Sequence, residues 1–262
     1  MTSGAPSRAS LPGTRPAGAA DEASASRHVR EMFSRIAPRY DLLNHLLSLR
    51  FDVTWRKRLA RRFRPLLARP DIHVLDLCCG TGDLTLSLAA EIRAASPASP
   101  GSIFGGDFAH PMLVRAREKA NRAGRRVPVD FLEADALALP FADQSFDLIT
   151  TAFGFRNLAN YSAGLAEFHR VLRPGGWLAI LEFTEPENAL FGRAYSFYFH
   201  NVLPGLGGIV SGSKQAYTYL PGSVARFPKP AELATLMKQS GFVEVDAERW
   251  TGGIVALHTG RR

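Results

Sequence analysis

The chain has 262 residues, 46% of them hydrophobic, two cysteines and a formal net charge of +8. This fits one large α/β domain with additions better than two independent domains, and it is ample for a real core. No apolar run reaches the ~18–20 residues that cross a bilayer, the neighbouring Cys78 and Cys79 would need unusual geometry to pair, and no His or Cys cluster has zinc spacing, so no metal is expected.

Residues 1–26 are rich in Ala, Ser, Gly and Pro and lack the apolar core of a signal peptide. They read as a disordered tail, a transit peptide being the weaker alternative, and the default location is the cytoplasm. Residues 27–70 read as helices. Val29, Met32, Phe33 and Ile36 form one stripe, which Pro38 ends, and Trp55, Leu59, Phe63 and Leu66 form a second. Opposite the second stripe lie Arg56, Lys57, Arg58, Arg61, Arg62 and Arg64. Arg27 to Arg69 holds twelve Arg or Lys against three acids, so the net charge is concentrated here. That face reads as solvated surface, with an anionic membrane or nucleic acid as its alternatives.

From residue 72 strands and helices alternate: "HVLDLCC", "GDLTLSLAAEI", "SIFGGDF", "HPMLVRAREKANRAG", "VPVDFLEAD", "FDLITTAFG", "YSAGLAEFHRVL" and "RPGGWLAILEF". That order predicts a parallel doubly wound sheet. "FVEVDAERW" and "GGIVALHTG" are separated only by Thr251, too short for a parallel crossover, so they must pair antiparallel.

The first strand-to-helix turn, "VLDLCCGTGD", is the expected ligand site. Gly80 and Gly82 admit a ligand close to the backbone. The dinucleotide fingerprint is incomplete, since Thr85 occupies its third glycine position, and no Gly-Lys-Ser/Thr follows for a phosphate loop. Asp76, four residues before Gly80, would repel a pyrophosphate but suit a cation; its plainer role is capping a nearby loop. Asp107 ends the second strand, where a carboxylate accepts from ribose hydroxyls, or else caps a helix. Asp135 ends the third, within reach of an adenine amino group. The pattern fits a cationic nucleoside without phosphate, S-adenosylmethionine.

"VLDLCCGTGD", "GGDF", "ADALALPF", "FDLIT" and "HRVLRPGGWLAILEF" resemble the successive motifs of class I S-adenosylmethionine-dependent methyltransferases. "MFSRIAPRYDLLNHLLSLRFDVTWRK", "FGFRNL", "LEFTEP" and "SGSKQAYTYLPGSVARFP" closely resemble the ubiquinone/menaquinone biosynthesis C-methyltransferase family, the UbiE/MenG type, from about residue 28 to 260. The resemblance implies a Rossmann-like seven-stranded sheet in the order 3-2-1-4-5-7-6, strand 7 antiparallel. It implies one domain over 27–262, with a helical lid at 27–70, a core at 71–262 and a substrate insertion at about 187–222. It carries Thr81, Asp107, Asp135 and Ala136 over as cofactor contacts. Ala152 stands where the family often has Ser, which removes a side-chain contact there.

The implied reaction moves a methyl group to a ring carbon of a polyprenylated quinol, demethylmenaquinol ahead of a methoxy-polyprenylbenzoquinol. A phenol has a pKa of about 10, so the site must favour phenolate. Arg156 is the expected stabiliser, worth about 4 kcal/mol at ~4 Å and an effective dielectric near 20, unless it pairs with a carboxylate such as Asp41. Asn157 would position the second ring oxygen. Tyr40, Asp41 and Asn44 take binding or orienting roles. His200 is a base by residue type only. Phe197, Phe199 and Val202 are expected to line a channel for the tail. The basic helices are expected to dock peripherally on the inner face of an anionic membrane. An RNA methyltransferase and a non-catalytic cofactor-binding protein are the other readings. RNA chemistry of the amino-methylating type would show an "NPPY"-like turn where this chain has "AFGFRN", so nucleic acid is not expected as a partner. A homodimer is left open.

Overall fold

Alternation along the central strands decides the architecture. In β1 (His73–Leu77), Val74 points to one face while Leu75 and Leu77 point to the other. In β5 (Leu172–Phe183), Ala179 and Leu181 join the first face, and Leu178 and Ile180 the second. Strands apolar on both faces must be covered on both. The computed structural model describes residues 13–16, 18–95, 101–124, 128–186 and 214–262.

The other strands are β2 (Ser102–Asp107), β3 (Val129–Glu133), β4 (Phe146–Ala152), β6 (Val243–Trp250) and β7 (Val255–Arg261). They form one sheet in the order β3-β2-β1-β4-β5-β7-β6. Pairs from β3 through β5 are parallel, and β7 runs antiparallel to both β5 and β6. The expected topology is therefore observed. The β6–β7 link is longer than Thr251 alone, running through the tight turn Thr251–Gly253.

One face is covered by α7 (Tyr161–Val171) and α9 (Pro230–Gln239), through residues such as Phe168 and Leu233. The other is covered by α3 (Phe51–Arg62), α4 (Arg64–Leu67) and α5 (Asp83–Ala95), through Trp55, Leu59, Leu67 and Leu88. The expected lid over 27–70 thus divides in two. Its second half is a core layer, because its apolar stripe is sealed against the sheet. Arg56, expected on the solvated face, is buried there beside Asp52 one helical turn earlier.

Of the expected lid, α1 (Glu22–Ile36) and α2 (Tyr40–Leu47), joined by the tight turn Ala37–Arg39, cap the carboxyl ends of the strands. Ile36 and Ala37 pack with Ala109 and Met112 at the start of α6 (His110–Ala123), and with Val224 of α8 (Lys214–Arg226). The tail expected over 1–26 is ordered in its described part, 13–16 and 18–26. Helix α1 begins at Glu22, where Asp21 and Ser24 form a reciprocal capping box. Ahead of it Thr14 is buried, its N–H donating to the Leu158 carbonyl at 2.7 Å.

Candidate active site

Strand β1 stops at Leu77 because Cys78 takes φ +52°, a left-handed conformation costly for a residue with a Cβ. Gly80 (φ +56°) and Gly82 (φ +83°) continue the turn. A Cβ on Gly82 would press on Ala116 and Phe131 at 3.1–3.3 Å, so this position needs glycine for packing as well as φ. At Gly80 the nearest atom to such a Cβ is a Tyr40 ring carbon at 3.7 Å; here φ and an open approach matter. Phe153, just past β4, is also left-handed, at φ +62°. Backbone strain at two neighbouring strand ends marks one shared cavity.

That cavity has about 670 Å³ of open space and is lined by Tyr40, Gly80, Asp107, Asp135, Ala136, Phe153, Gly154 and Asn157 among others. Asp107 is buried: one carboxylate oxygen accepts from Gly80 N at 2.8 Å and the other from Ala109 N at 2.9 Å. Burial pushes its pKa up to about 6. Each oxygen keeps a further lone pair for a ligand donor. Asp135 is exposed and spends one oxygen on Leu137 N at 2.9 Å. Among the described residues lining this cavity there is no Lys or Arg, so a phosphate would meet two carboxylates and no side-chain cation.

Other expected cofactor contacts are placed differently. Asp76 is fully buried and accepts from Thr85 at 2.6 Å and from Thr150 at 2.8 Å, tying β1 to α5 and β4. Burial raises its pKa to about 6. It borders a smaller side cavity behind the glycine turn, as do Thr81 and Ala152. The Thr81 hydroxyl donates to Asp41 and accepts from Lys119. Both cysteines are free thiols, pushed up by burial.

Arg156 is the main correction. Its Nη1 lies 2.9 Å from Glu182 Oε2, with side-chain exposures of 6% and 1%. Glu182 also accepts from the backbone N–H groups of Arg156 and Phe183, at 3.0 and 3.1 Å. The expected alternative was a pairing with Asp41; a carboxylate does neutralise the arginine, but it comes from the "LEFTEP" strand end. Arg156 therefore carries a buried carboxylate partner that ties its loop to β5. Asn157 and Tyr40 do reach the main cavity. Burial raises the Tyr40 pKa, while Arg56, Arg156 and a hydrogen bond with Asn44 oppose the rise.

Asp41 does not line the main cavity either. It pairs with Lys119 Nζ at 2.7 Å, and Lys119 also holds Asp83 at 2.6 Å. Beside them His45 Nδ1 lies 2.9 Å from Asp52, which Ser48 and Arg56 also contact at 2.5 Å. This ionic latch fastens α2 to α3, α5 and α6. Donor atoms of His45, Asp52 and Asp83 lie within 4.8 Å of one another, a spacing a metal could use, but Arg56 and Lys119 already bring positive charge to these carboxylates. Sequence reading missed the latch; its one local signal was the Asp52–Arg56 spacing of four. Phe197, Phe199, Val202 and His200 lie outside the described residues, as does most of the expected insertion.

Residues 21–262 match the model of the ubiE/COQ5 methyltransferase family. The chain is 50% identical over 231 residues to the demethylmenaquinone methyltransferase of Thermus thermophilus, covering 88% of this chain and 100% of that one. It is 48% identical over 222 residues to the enzyme of the same name from Deinococcus radiodurans, covering 85% and 88%. A solved SAM-dependent methyltransferase of Thermotoga maritima shares the fold, with a TM-score of 0.58 at 20% identity over 88% of this chain and 98% of that one.

Proposed function

The chain belongs to the ubiE/COQ5 methyltransferase family, and we propose that it transfers a methyl group from S-adenosylmethionine to a ring carbon of reduced, polyprenylated demethylmenaquinone. The observation that carries this reading is the full-length similarity to the Thermus enzyme of that name. The cavity agrees in charge: acids and open backbone suit a cationic nucleoside and repel a phosphate. Bound S-adenosylmethionine supplies an electrophilic methyl on a sulfonium. Asp107 accepts from its ribose hydroxyls and Asp135, through its unused oxygen, from the adenine amino group.

The acceptor carbon becomes nucleophilic as the neighbouring quinol hydroxyl gives up its proton. The Asn157 amide and the Tyr40 hydroxyl donate to that oxygen and favour its anionic form. The carbon–carbon bond forms as the carbon–sulfur bond breaks. The ring then loses the proton on the methylated carbon and the oxygen is reprotonated, so one proton is released per turnover. Because Glu182 neutralises Arg156, these two short dipolar donors do the work first assigned to the arginine's charge.

A polyprenyl substrate resides in lipid, and no helix among the described residues is long and apolar enough to cross a membrane. Peripheral docking through the α2–α3 turn follows. Leu49 and Phe51 are 71% and 48% exposed there, flanking Arg50 in sequence, and Leu42 in the first turn of α2 is 61% exposed. Lysines and arginines near an anionic surface contribute about 1 kcal/mol each.

The test is mass-spectrometric detection of product from reduced demethylmenaquinone and from reduced methoxy-polyprenylbenzoquinone. Preference for the naphthoquinol supports the reading. Preference for the benzoquinol moves the substrate within the family, and methylation of neither overturns it.

A further inference from the structure

The family match begins at residue 21, yet the chain ahead of it reaches the acceptor side of the cavity. Thr14 is 4% exposed. Its backbone N–H donates to the Leu158 carbonyl at 2.7 Å, and Arg15 Nη1 donates to the Ala159 carbonyl at 3.0 Å. Gly13 lies so close to Ala159 that a Cβ there would fall 2.1 Å from its carbonyl carbon. This strap crosses the loop immediately after Asn157.

Its side chain continues inward. Thr14 Oγ1 lies 2.8 Å from the Tyr219 hydroxyl, and that hydroxyl donates to Asn157 Oδ1 at 3.0 Å. A phenol has one proton to give. Since Tyr219 gives it to Asn157, Thr14 must be the donor in the other bond. The chain is directional: Thr14 to Tyr219 to the Asn157 carbonyl oxygen. With Oδ1 engaged, the Asn157 amide N–H₂ has no partner among the described residues, and Asn157 lines the main cavity. Burial raises the Tyr219 pKa further above its ordinary value, so the hydroxyl keeps the proton it donates.

We infer that Thr14 and Tyr219 are positioning residues, which fix the Asn157 amide with its N–H₂ toward the methyl acceptor and so select an oxygen-bearing ring. The inference rests on the proposed quinol acceptor, and it assigns a task to a segment outside the family match. Without Thr14 the Tyr219 hydroxyl loses its upstream donor; without the Tyr219 hydroxyl the amide is free to turn over and present its carbonyl oxygen, which repels a phenolate. Neither change touches the nucleoside half of the cavity.

The test uses T14V, Y219F and the double variant of the full chain, all close to isosteric. Wild-type turnover on reduced demethylmenaquinone tests the function alone; the variant-to-wild-type ratio tests the strap. Loss of one oriented hydrogen bond lowers kcat about five- to tenfold, with S-adenosylhomocysteine affinity unchanged. The double variant is no worse than Y219F, because both act through one amide. Independently of substrate, the Asn157 side-chain amide resonances shift in both single variants. Unchanged kcat with only a lowered melting temperature, additive losses, or an unmoved amide signal each overturns the inference.

Discussion

The pairing of Arg156 with Glu182 separates two roles for the arginine, and charge removal distinguishes them. Arg156→Met leaves the Glu182 carboxyl, 1% exposed, without its cation. Breaking a buried pair from one side costs about 3–5 kcal/mol. For a domain of this size that corresponds to roughly 6–20 °C in melting temperature. Glu182→Gln costs a similar amount, because the guanidinium then keeps the Phe153 carbonyl, the Phe183 ring and a neutral amide beside it but loses its carboxylate. Arg156→Met with Glu182→Gln removes both charges, so the double variant recovers about half of either loss or more. Calorimetric melting reads the stability, and methyl transfer on the reduced quinone reads the catalysis. If Arg156 acts by bracing the loop that carries Asn157, activity returns with stability in the double variant. A double variant that is stable yet as inactive as Arg156→Met would refute this reasoning and return the arginine's charge to the chemistry.

Four further outcomes follow. The raised pKa values of Asp107 and Asp76, both about 6, mean the folded state binds more protons than the unfolded state between the usual carboxylate range and pH 6. Their contribution to stability is therefore full below that window and lost as pH rises through it; Asp76→Asn should flatten this slope in melting curves. S-adenosylhomocysteine affinity should move the opposite way, weakening below pH about 6 as Asp107 loses an acceptor, with Asp107→Asn abolishing the dependence in calorimetry. Lys119→Met unties Asp41 from Asp83; at about 0.5–1 kcal/mol for each of the two partly exposed pairs, stopped-flow release of the cofactor should quicken by up to roughly five- to thirtyfold, and salt should mimic the change in the wild type. Leu49→Ser with Phe51→Ser should reduce co-sedimentation with anionic vesicles and leave activity on a short-tailed quinol unchanged; unaltered sedimentation would remove the docking turn.

The sheet was legible because its strands carry their pattern locally. Alternation at Val74–Leu77, glycines after the first strand and acids at the ends of the second and third encode topology and ligand edge in short windows. The helical stripe at Trp55, Leu59 and Phe63 was equally visible. What covered it was not, since periodicity reports a buried face without naming its partner; a core layer was therefore read as lid. The ion pairs were hidden for a related reason. Arg156 and Glu182 are 26 residues apart, and Lys119 meets Asp41 from 78 residues away. Arg56 looked like one of six surface cations, because only the fold brings Asp83 beside it. Low-complexity composition concealed Thr14, whose burial depends on a carbonyl at Leu158 and a phenol at Tyr219.

The central claim is that the cavity at the carboxyl edge of the sheet, whose described lining carries acids and neither Lys nor Arg, accepts a positively charged adenosine and rejects a phosphate-bearing one. Isothermal titration of the full chain with S-adenosylmethionine, ATP and NAD tests it directly. The account predicts saturable binding of S-adenosylmethionine, weakened by Asp107→Asn, and no measurable heat from the two phosphate nucleotides. Saturable ATP or NAD binding without S-adenosylmethionine binding would contradict it.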